Sequence, residues 1–245
     1  MALFHLSEVY DALVNWPKRL AREEPFYRQV FQQVGAKSVA DVACGSGRHA
    51  AMFHNWGLRV EAADVSPEMI ELARRRFGQP PGLNWTVRSF EQPIPSGPFD
   101  AAICVGNSLA LAPNRETLAL ALRQLLDAVR PGGAVIVQVL NLRRIPEGPC
   151  VWQAVKKATV ADRELLLIKG VHRCGPGGFV ELVVVPTDSN EALHTEASAL
   201  LGIEADWLQR ALYEAGASTM SLYGDYQRTP FDREKSVDIL VVARK

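Results

Sequence analysis

The chain has 245 residues, enough for one large domain or two small ones at roughly 100–200 residues each. Its residues are 48% hydrophobic and 22% charged, a globular balance that excludes disorder, collagen-like repeats and coiled coil as the main organisation. Lys plus Arg and Asp plus Glu both number 27, so the chain lacks the basic footprint of a general nucleic-acid or anionic-membrane binder. No apolar run reaches the ~20 residues that span a bilayer, and Met1 to Tyr10 has no basic segment leading into a long apolar one. A soluble, cytoplasmic protein is expected, with neither nucleic acid nor membrane as partner. The four cysteines, Cys44, Cys104, Cys150 and Cys174, are scattered without a CxxC pair, so neither a metal nor a disulfide framework is expected.

Residues 1–36 read as an N-terminal helical cap that includes the charged segment RLAREEPF. Ser38 to Ala43 (SVADVA) reads as a buried strand, Cys44 to Arg48 as a turn and His49 to Trp56 as a helix. Gly57 stands where a helix-ending glycine is wanted, and Leu58 to Ala63 is the next strand. Ser66-Pro67-Glu68 predicts a helix start, with Ser as N-cap, Pro at the first helical position and an acid in the first turn. That helix runs to about Phe77, where Gly78, Pro80 and Pro81 stop it. Leu83 to Arg88 and Ala101 to Val105 are further strands. Leucines at 118, 122, 125 and 126 predict a helix over Glu116 to Arg130, broken by Pro131-Gly132-Gly133 before the strand Ala134 to Leu140. Such alternation predicts a parallel sheet covered on both faces.

The pattern changes after Leu140. Strand-like runs Glu164 to Lys169 and Phe179 to Val185 flank Gly175-Pro176-Gly177-Gly178, a hairpin or meander signal. Helix returns over about Glu204 to Glu214, and Ser218 to Tyr223 can pair with Val237 to Ala243. The expectation is a single α/β domain, 1–245, carrying an inserted β-rich flap, 141–200.

Asp41-Val-Ala-Cys-Gly45-Ser-Gly47-Arg-His-Ala50 falls at a strand–turn–helix junction, where glycines admit a ligand to the backbone and a helix N-terminus offers free N–H groups. Asp64 ends the next strand, 17 residues after Gly47, where a carboxylate can accept both hydroxyls of a ribose. These features point to a nucleoside cofactor, and NAD enzymes share them. Three details favour S-adenosylmethionine. Asp41 precedes the glycine loop, where it would repel a pyrophosphate but not a cationic amino-acid end. Phe99-Asp100 opens the fourth strand, followed by Gly106-Asn107-Ser108. The chain then ends in strands instead of completing a second βαβαβ half.

VADVACGSGRHA, VEAADVSPEMIELARRR, FDAAICVGNSLA, LRQLLDAVRPGGAVIVQVLN and YGDYQRTPFDREKSVDILVVARK together resemble a class I S-adenosylmethionine-dependent methyltransferase. DVACGSG, ICVGNS and the YGDY ending resemble the glycine/sarcosine N-methyltransferase-like small-molecule branch in particular. The resemblance implies a Rossmann-like seven-stranded sheet, parallel with an antiparallel C-terminal strand, plus the flap over the active site.

It also implies roles for matching positions. Asp41, Ala43, Gly45 and Gly47 would follow the methionine part of the cofactor, and Asp64 would hold the ribose. Val65 and Met69 would line the adenine, with Ser89 and Phe90 at its edge; the family's frequent Asp is Ser at 89. Val105 and Gly106 would offer carbonyls to the methionine amino group. Arg19, 22 residues before Asp41, would pair with the cofactor carboxylate through its guanidinium fork. The branch commonly has a His after its GNS segment, which Gly106 to Leu111 lacks.

Tyr10, Trp16, Asn107, Arg144, Tyr223 and Tyr226 are candidate acceptor contacts, with Arg143 beside Arg144 for an anionic group. Tyr10, His172, His194 and Tyr223 are candidate proton-handling residues, whereas His49 and His54 read as packing or surface histidines. The reaction expected is methyl transfer to a small molecule, at an amine nitrogen; a hydroxyl acceptor and a non-catalytic cofactor-binding protein are the alternatives. Oligomeric state is not set by the sequence.

Overall fold

A computed structural model describes residues 6–187 and 194–245. Helices α1 (Leu6–Leu13) and α2 (Trp16–Gln33) lead into β1 (Ser38–Val42), α3 (Arg48–Asn55), β2 (Arg59–Asp64), α4 (Pro67–Phe77), β3 (Leu83–Val87) and β4 (Phe99–Cys104). Then come α5 (Arg115–Asp127), β5 (Val129–Leu140), β6 (Val151–Val160), β7 (Arg163–Cys174), β8 (Gly177–Pro186), β9 (His194–Leu200), α6 (Ala205–Glu214), β10 (Thr219–Tyr223) and β11 (Asp238–Arg244). Seven strands form one sheet in the order β10-β11-β5-β4-β1-β2-β3. β11 runs antiparallel to both neighbours, while β3, β2, β1, β4 and β5 are mutually parallel. The sheet is the seven-stranded arrangement expected.

Every residue of β1 is buried, as a central parallel strand covered on both faces requires. One face packs on α5 and α6 through Leu118, Leu122, Leu125, Leu208 and Leu212; the other packs on α2 to α4 through Phe26, Phe31, Phe53 and Ile70. Helix α4 starts as its sequence predicts: Ser66 Oγ accepts from Met69 N at 3.3 Å, Pro67 follows, and Gly78 at φ +67° ends it. Helix α5 is shorter than its leucine spacing predicts, ending at Asp127, and β5 begins at Val129. Pro131-Gly132-Gly133 lies within that strand, not ahead of it. Pairing jumps from Phe99–Val129 to Ala101–Ala134, so the intervening residues bulge out. Gly133 permits this, because a Cβ there would meet the Asp100 carbonyl at 2.7 Å.

β6 to β9 form a separate four-stranded antiparallel sheet, the flap. Two-residue turns join β6 to β7 at Ala161-Asp162, both with positive φ, and β7 to β8 at Gly175-Pro176. Its inner face rests on α1, where Val9 packs with Val160, Leu165, Leu167 and Val184. Among the described residues no helix is long and apolar enough to cross a membrane.

Candidate active site

The loop between β1 and α3 is held in left-handed backbone at Ala43 (φ +57°), Gly45 (φ +54°) and Gly47 (φ +79°). The two glycines serve different ends. Nothing lies within 4 Å of where a Gly45 Cβ would stand, whereas a Gly47 Cβ would meet the Trp85 ring at 2.5 Å and Ala73 at 2.9 Å. Gly45 therefore presents bare backbone to open space, and Gly47 lets the loop pack on β3 and α4. Asp64 fastens the loop to the end of β2: one oxygen accepts from Gly45 N at 2.8 Å, the other from Ser66 N at 2.9 Å. Burial raises its carboxyl, against the backbone hydrogen bonds it receives.

Asp41 is buried, and its Oδ2 has no hydrogen-bond partner in the protein. Its carboxyl is pushed up to about 8, first by burial and then by Asp64. A buried carboxyl with an unused oxygen favours a cation beside it. Val65 is two-thirds exposed just beyond Asp64, and Met69 follows in the first turn of α4. Ser89 Oγ is hydrogen-bonded to the Glu91 carboxylate, and Phe90 packs at the edge of the α5-side core.

Helix α2 supplies a second polar group. Arg19 Nε donates to Glu23 at 2.9 Å, and Arg19 Nη2 would lie 3.6 Å from a Cβ on Gly106. Glu23, fully buried, also meets His49 Nε2 at 2.7 Å. Burial would raise Glu23, but the hydrogen bonds of His49 and Arg19 leave its carboxyl below the usual range. His49 is thus neither a surface residue nor simple packing; it anchors the carboxylate that aims Arg19. Trp16 stacks 5.1 Å from the Arg19 guanidinium, and its buried indole N–H is unpaired. A guanidinium and an orphan N–H suit a carboxylate ligand. Together with Asp41 and Asp64, this donor set fits a nucleoside carrying an amino acid at its far end.

The Gly106-Asn107 turn joins this site to β5 and β11. Gly106 N donates to Gln138 Oε1 at 2.7 Å, and Gln138 Nε2 donates to Asp238 at 2.8 Å. Asn107 Oδ1 accepts from Leu140 N at 2.8 Å, and the Val105 carbonyl accepts from Ser108 Oγ at 3.0 Å. Both groups are therefore partly engaged within the protein.

A cavity of about 440 Å³ opens between this turn, α1, α2 and the inner face of the flap. Tyr10, Arg19, Gly106, Asn107 and Tyr226 line it, as do Arg22, Glu23, Gln153, Lys169, Glu196 and Asp238, which the sequence did not single out. Trp16, Arg144, His172, His194 and Tyr223 are not in its wall. Strand alternation explains His172: Lys169 and Val171 face inward, so His172 faces outward, beside Glu181. His194 starts β9 opposite Val184, toward the α1 contact. Tyr223 packs edge-to-face on Phe26 and lies 6.0 Å from the Arg228 guanidinium, in a separate hollow by α2. Arg143 pairs with Glu204 at 2.9 Å, and Arg144 is exposed next to it.

Asp11 fastens α1 over the glycine loop. Its carboxylate receives Ser46 Oγ, Arg48 at 2.8 Å and Arg76 at 2.9 Å. Burial would raise this carboxyl, but the Arg48 and Ser46 hydrogen bonds leave it below its ordinary 3.8. A depressed carboxyl stabilises the fold fully above that ordinary value and loses this as pH falls through its lowered one. Asp11→Ala is expected to cost about 1–3 kcal/mol at neutral pH, read as a lower urea midpoint, with the gap from wild type closing below roughly pH 4.

A family model described as a methyltransferase domain matches residues 39–133. The glycine/sarcosine N-methyltransferase of Parasynechococcus marenigrum (strain WH8102) is 27% identical over 234 residues, covering 91% of this chain and 77% of the relative. The sugar N-methyltransferase KedS8 from Streptoalloteichus sp ATCC 53650 shares the fold with a TM-score of 0.80 at 22% identity, over 100% of this chain and 94% of that one. S-adenosylmethionine-bound CalS10, an amino pentose methyltransferase from Micromonospora echinaspora, does so with a TM-score of 0.77 at 18% identity, over 100% and 99%. Residues 39–133 are thus a methyltransferase domain, and the strand order, the donor set around the glycine loop and these relatives agree with a class I S-adenosylmethionine-dependent methyltransferase.

Proposed function

We propose that this enzyme moves the methyl group of S-adenosylmethionine to the nitrogen of a small-molecule amine. The observation that carries this reading is the shared cavity: Arg19, Gly106 and Tyr10 beside the cofactor region face the inner side of the flap across about 440 Å³. That volume suits a small molecule and not a polymer. Its wall holds the carboxylates Asp238 and Glu196 and the rings of Tyr10 and Tyr226, which attract a cationic amine. The glycine/sarcosine and sugar N-methyltransferases among its relatives act on nitrogen by name.

The cofactor supplies a methyl group already activated on a sulfonium. Arg19, Asp41, Gly45 and Asp64 hold and orient it, while the flap sheet of β6 to β9 covers the acceptor and excludes water. Fixing two reactants in line is worth on the order of 7–11 kcal/mol in good cases, so no protein nucleophile is needed. An amine must lose its proton before it attacks. Asp238, pushed up to about 6 chiefly by burial, is ionised at neutral pH and can hold the ammonium and take that proton. Tyr10, Asn107 and Tyr226 are the proposed acceptor contacts.

A hydroxyl acceptor is the second reading, and Lys169 favours it. Its ammonium sits in the cavity wall, 6.0 Å from the Tyr10 ring centroid, where it would pair with a phenolate or carboxylate. A panel of small amines and their matched alcohols, incubated with enzyme and cofactor and read by product mass spectrometry, separates the two. N-methylated products across several amines are expected; methylation confined to the alcohols would overturn the nitrogen assignment.

A further inference from the structure

The outer face of the flap gathers a thiol, an imidazole and a carboxylate that methyl transfer does not use. Cys150 immediately precedes β6, His172 lies near the end of β7 and Glu181 lies on β8. In sequence 22 and then 9 residues separate them. Pairing of Val151 with Val171, and of Gly170 with Glu181, brings them to one end of one face. One ligand atom from each lies within 4.8 Å of the other two.

Two further observations show a shaped site. Glycine at 170 makes room for the sulfur, because a Cβ there would collide with Cys150 Sγ and stand 2.9 Å from the Trp152 ring. His172 Nδ1 faces the Gly148 carbonyl at 3.4 Å, a contact that turns the ring so that Nε2 points to Glu181. Nε2 is buried and lies 3.1 Å from Glu181 Oε2, an ion-pair distance. A ring proton fills this place in the metal-free protein, as the 3.1 Å ion-pair spacing allows, and a cation bound by the three groups would displace it.

We propose that Cys150, His172 and Glu181 bind a thiophilic divalent cation, zinc being the ion whose chemistry matches one thiolate, one imidazole and one carboxylate, with water as a fourth ligand. Zinc holds such ligands at about 2.0–2.3 Å, so side-chain rotations would draw the three atoms together. Binding forms Zn–S, Zn–N and Zn–O bonds, and the thiol proton and the Nε2 proton of the His172–Glu181 pair pass to solvent. The ion would tie β6, β7 and β8 together at one end of the sheet that covers the acceptor cavity.

Reduced, metal-free protein titrated with cobalt(II), then with zinc against a chromophoric chelator, tests this. One equivalent of zinc and a near-ultraviolet thiolate-to-cobalt charge-transfer band are expected. Cys150→Ser should lose the band, and His172→Gln and Glu181→Gln should each weaken zinc by at least the roughly 10–100-fold that loss of an outer-shell partner costs. Cys174→Ser should bind as wild type does. Zinc should raise the melting temperature of wild type and Cys174→Ser alone, and every variant should keep its affinity for S-adenosylmethionine. Should Cys150→Ser not fold, His172→Gln carries the same comparison. Zinc binding no tighter in wild type than in His172→Gln, or a band lost in Cys174→Ser, would overturn the site.

Discussion

Asp64→Ala is expected to raise the dissociation constant of S-adenosylmethionine by roughly 10²–10⁴-fold, measured by calorimetric titration. A hydrogen bond to a charged group is worth about 1.5–3 kcal/mol, and a ribose offers two hydroxyls, so about 3–6 kcal/mol is at stake at about 1.4 kcal/mol per tenfold. The same carboxylate also accepts from Gly45 N and Ser66 N, so its removal loosens the loop that the ligand must meet. Asp64→Asn keeps an acceptor oxygen and loses the charge; it should fall between alanine and wild type. Asp41 adds a pH signature. Its folded carboxyl, at about 8, binds a proton more tightly than the ordinary 3.8, so it opposes folding increasingly between those values. A cationic ligand beside it favours ionisation, and cofactor affinity should therefore strengthen as pH rises toward about 8. Asp64 raises Asp41, so in Asp64→Ala the remaining pH dependence should move downward. Cofactor binding within about threefold of wild type would remove Asp64 from the site.

Gly47→Ala should be the most damaging of the conservative loop changes, costing about 2–5 kcal/mol of folding stability. Left-handed backbone at φ +79° costs a non-glycine residue about 1–2 kcal/mol. Overpacking against the Trp85 ring and Ala73 adds about 1–3 kcal/mol, because neither can withdraw from a filled core. Gly45→Ala is the informative contrast. It carries the backbone cost of about 1–2 kcal/mol alone, with open space around the new methyl, so it should lose less stability than Gly47→Ala and instead impair cofactor binding. Urea melts and cofactor titrations of the two variants separate the roles. Equal stability losses would show that the two glycines do not differ as their surroundings indicate.

Much of the parallel sheet was legible because its signals are local. Ser66-Pro67-Glu68 starts α4 where capping chemistry puts it, and the buried runs around Asp41 and Ile136 became β1 and β5. The end of α5 was not legible. Leucine spacing says where a helix is amphipathic, but Val129 leaves it to pair with Phe99, a partner 30 residues away. Asp41, Gly45 and Asp64 could be read together because strand–loop–strand order is a local signal, whereas Arg19 entered only through the family resemblance, since its own segment reads as a charged helix face. Glu23, Gln138, Lys169 and Asp238 could not be read, because α2, β5, β7 and β11 meet only in the folded chain. Tyr223 and Tyr226 illustrate the limit. Three residues apart, one packs in a hollow beside α2, and the other, 5% exposed, shows its edge to the cavity under the flap. His172 failed as a cavity residue by one step of strand alternation, since its neighbour Val171 is in the wall.

Transfer of isotopically labelled methyl from S-adenosylmethionine to an amine acceptor, compared between wild type and Val180→Trp, is the most direct test that the flap-covered cavity is where nitrogen is methylated. Val180 is on the cavity wall contributed by the flap, away from the glycine loop. The indole should fill the acceptor space and leave the cofactor site intact. Label on nitrogen in wild type, and little or none in Val180→Trp with cofactor affinity unchanged, is the expected result. Undiminished transfer by Val180→Trp, or label on oxygen alone, would contradict it.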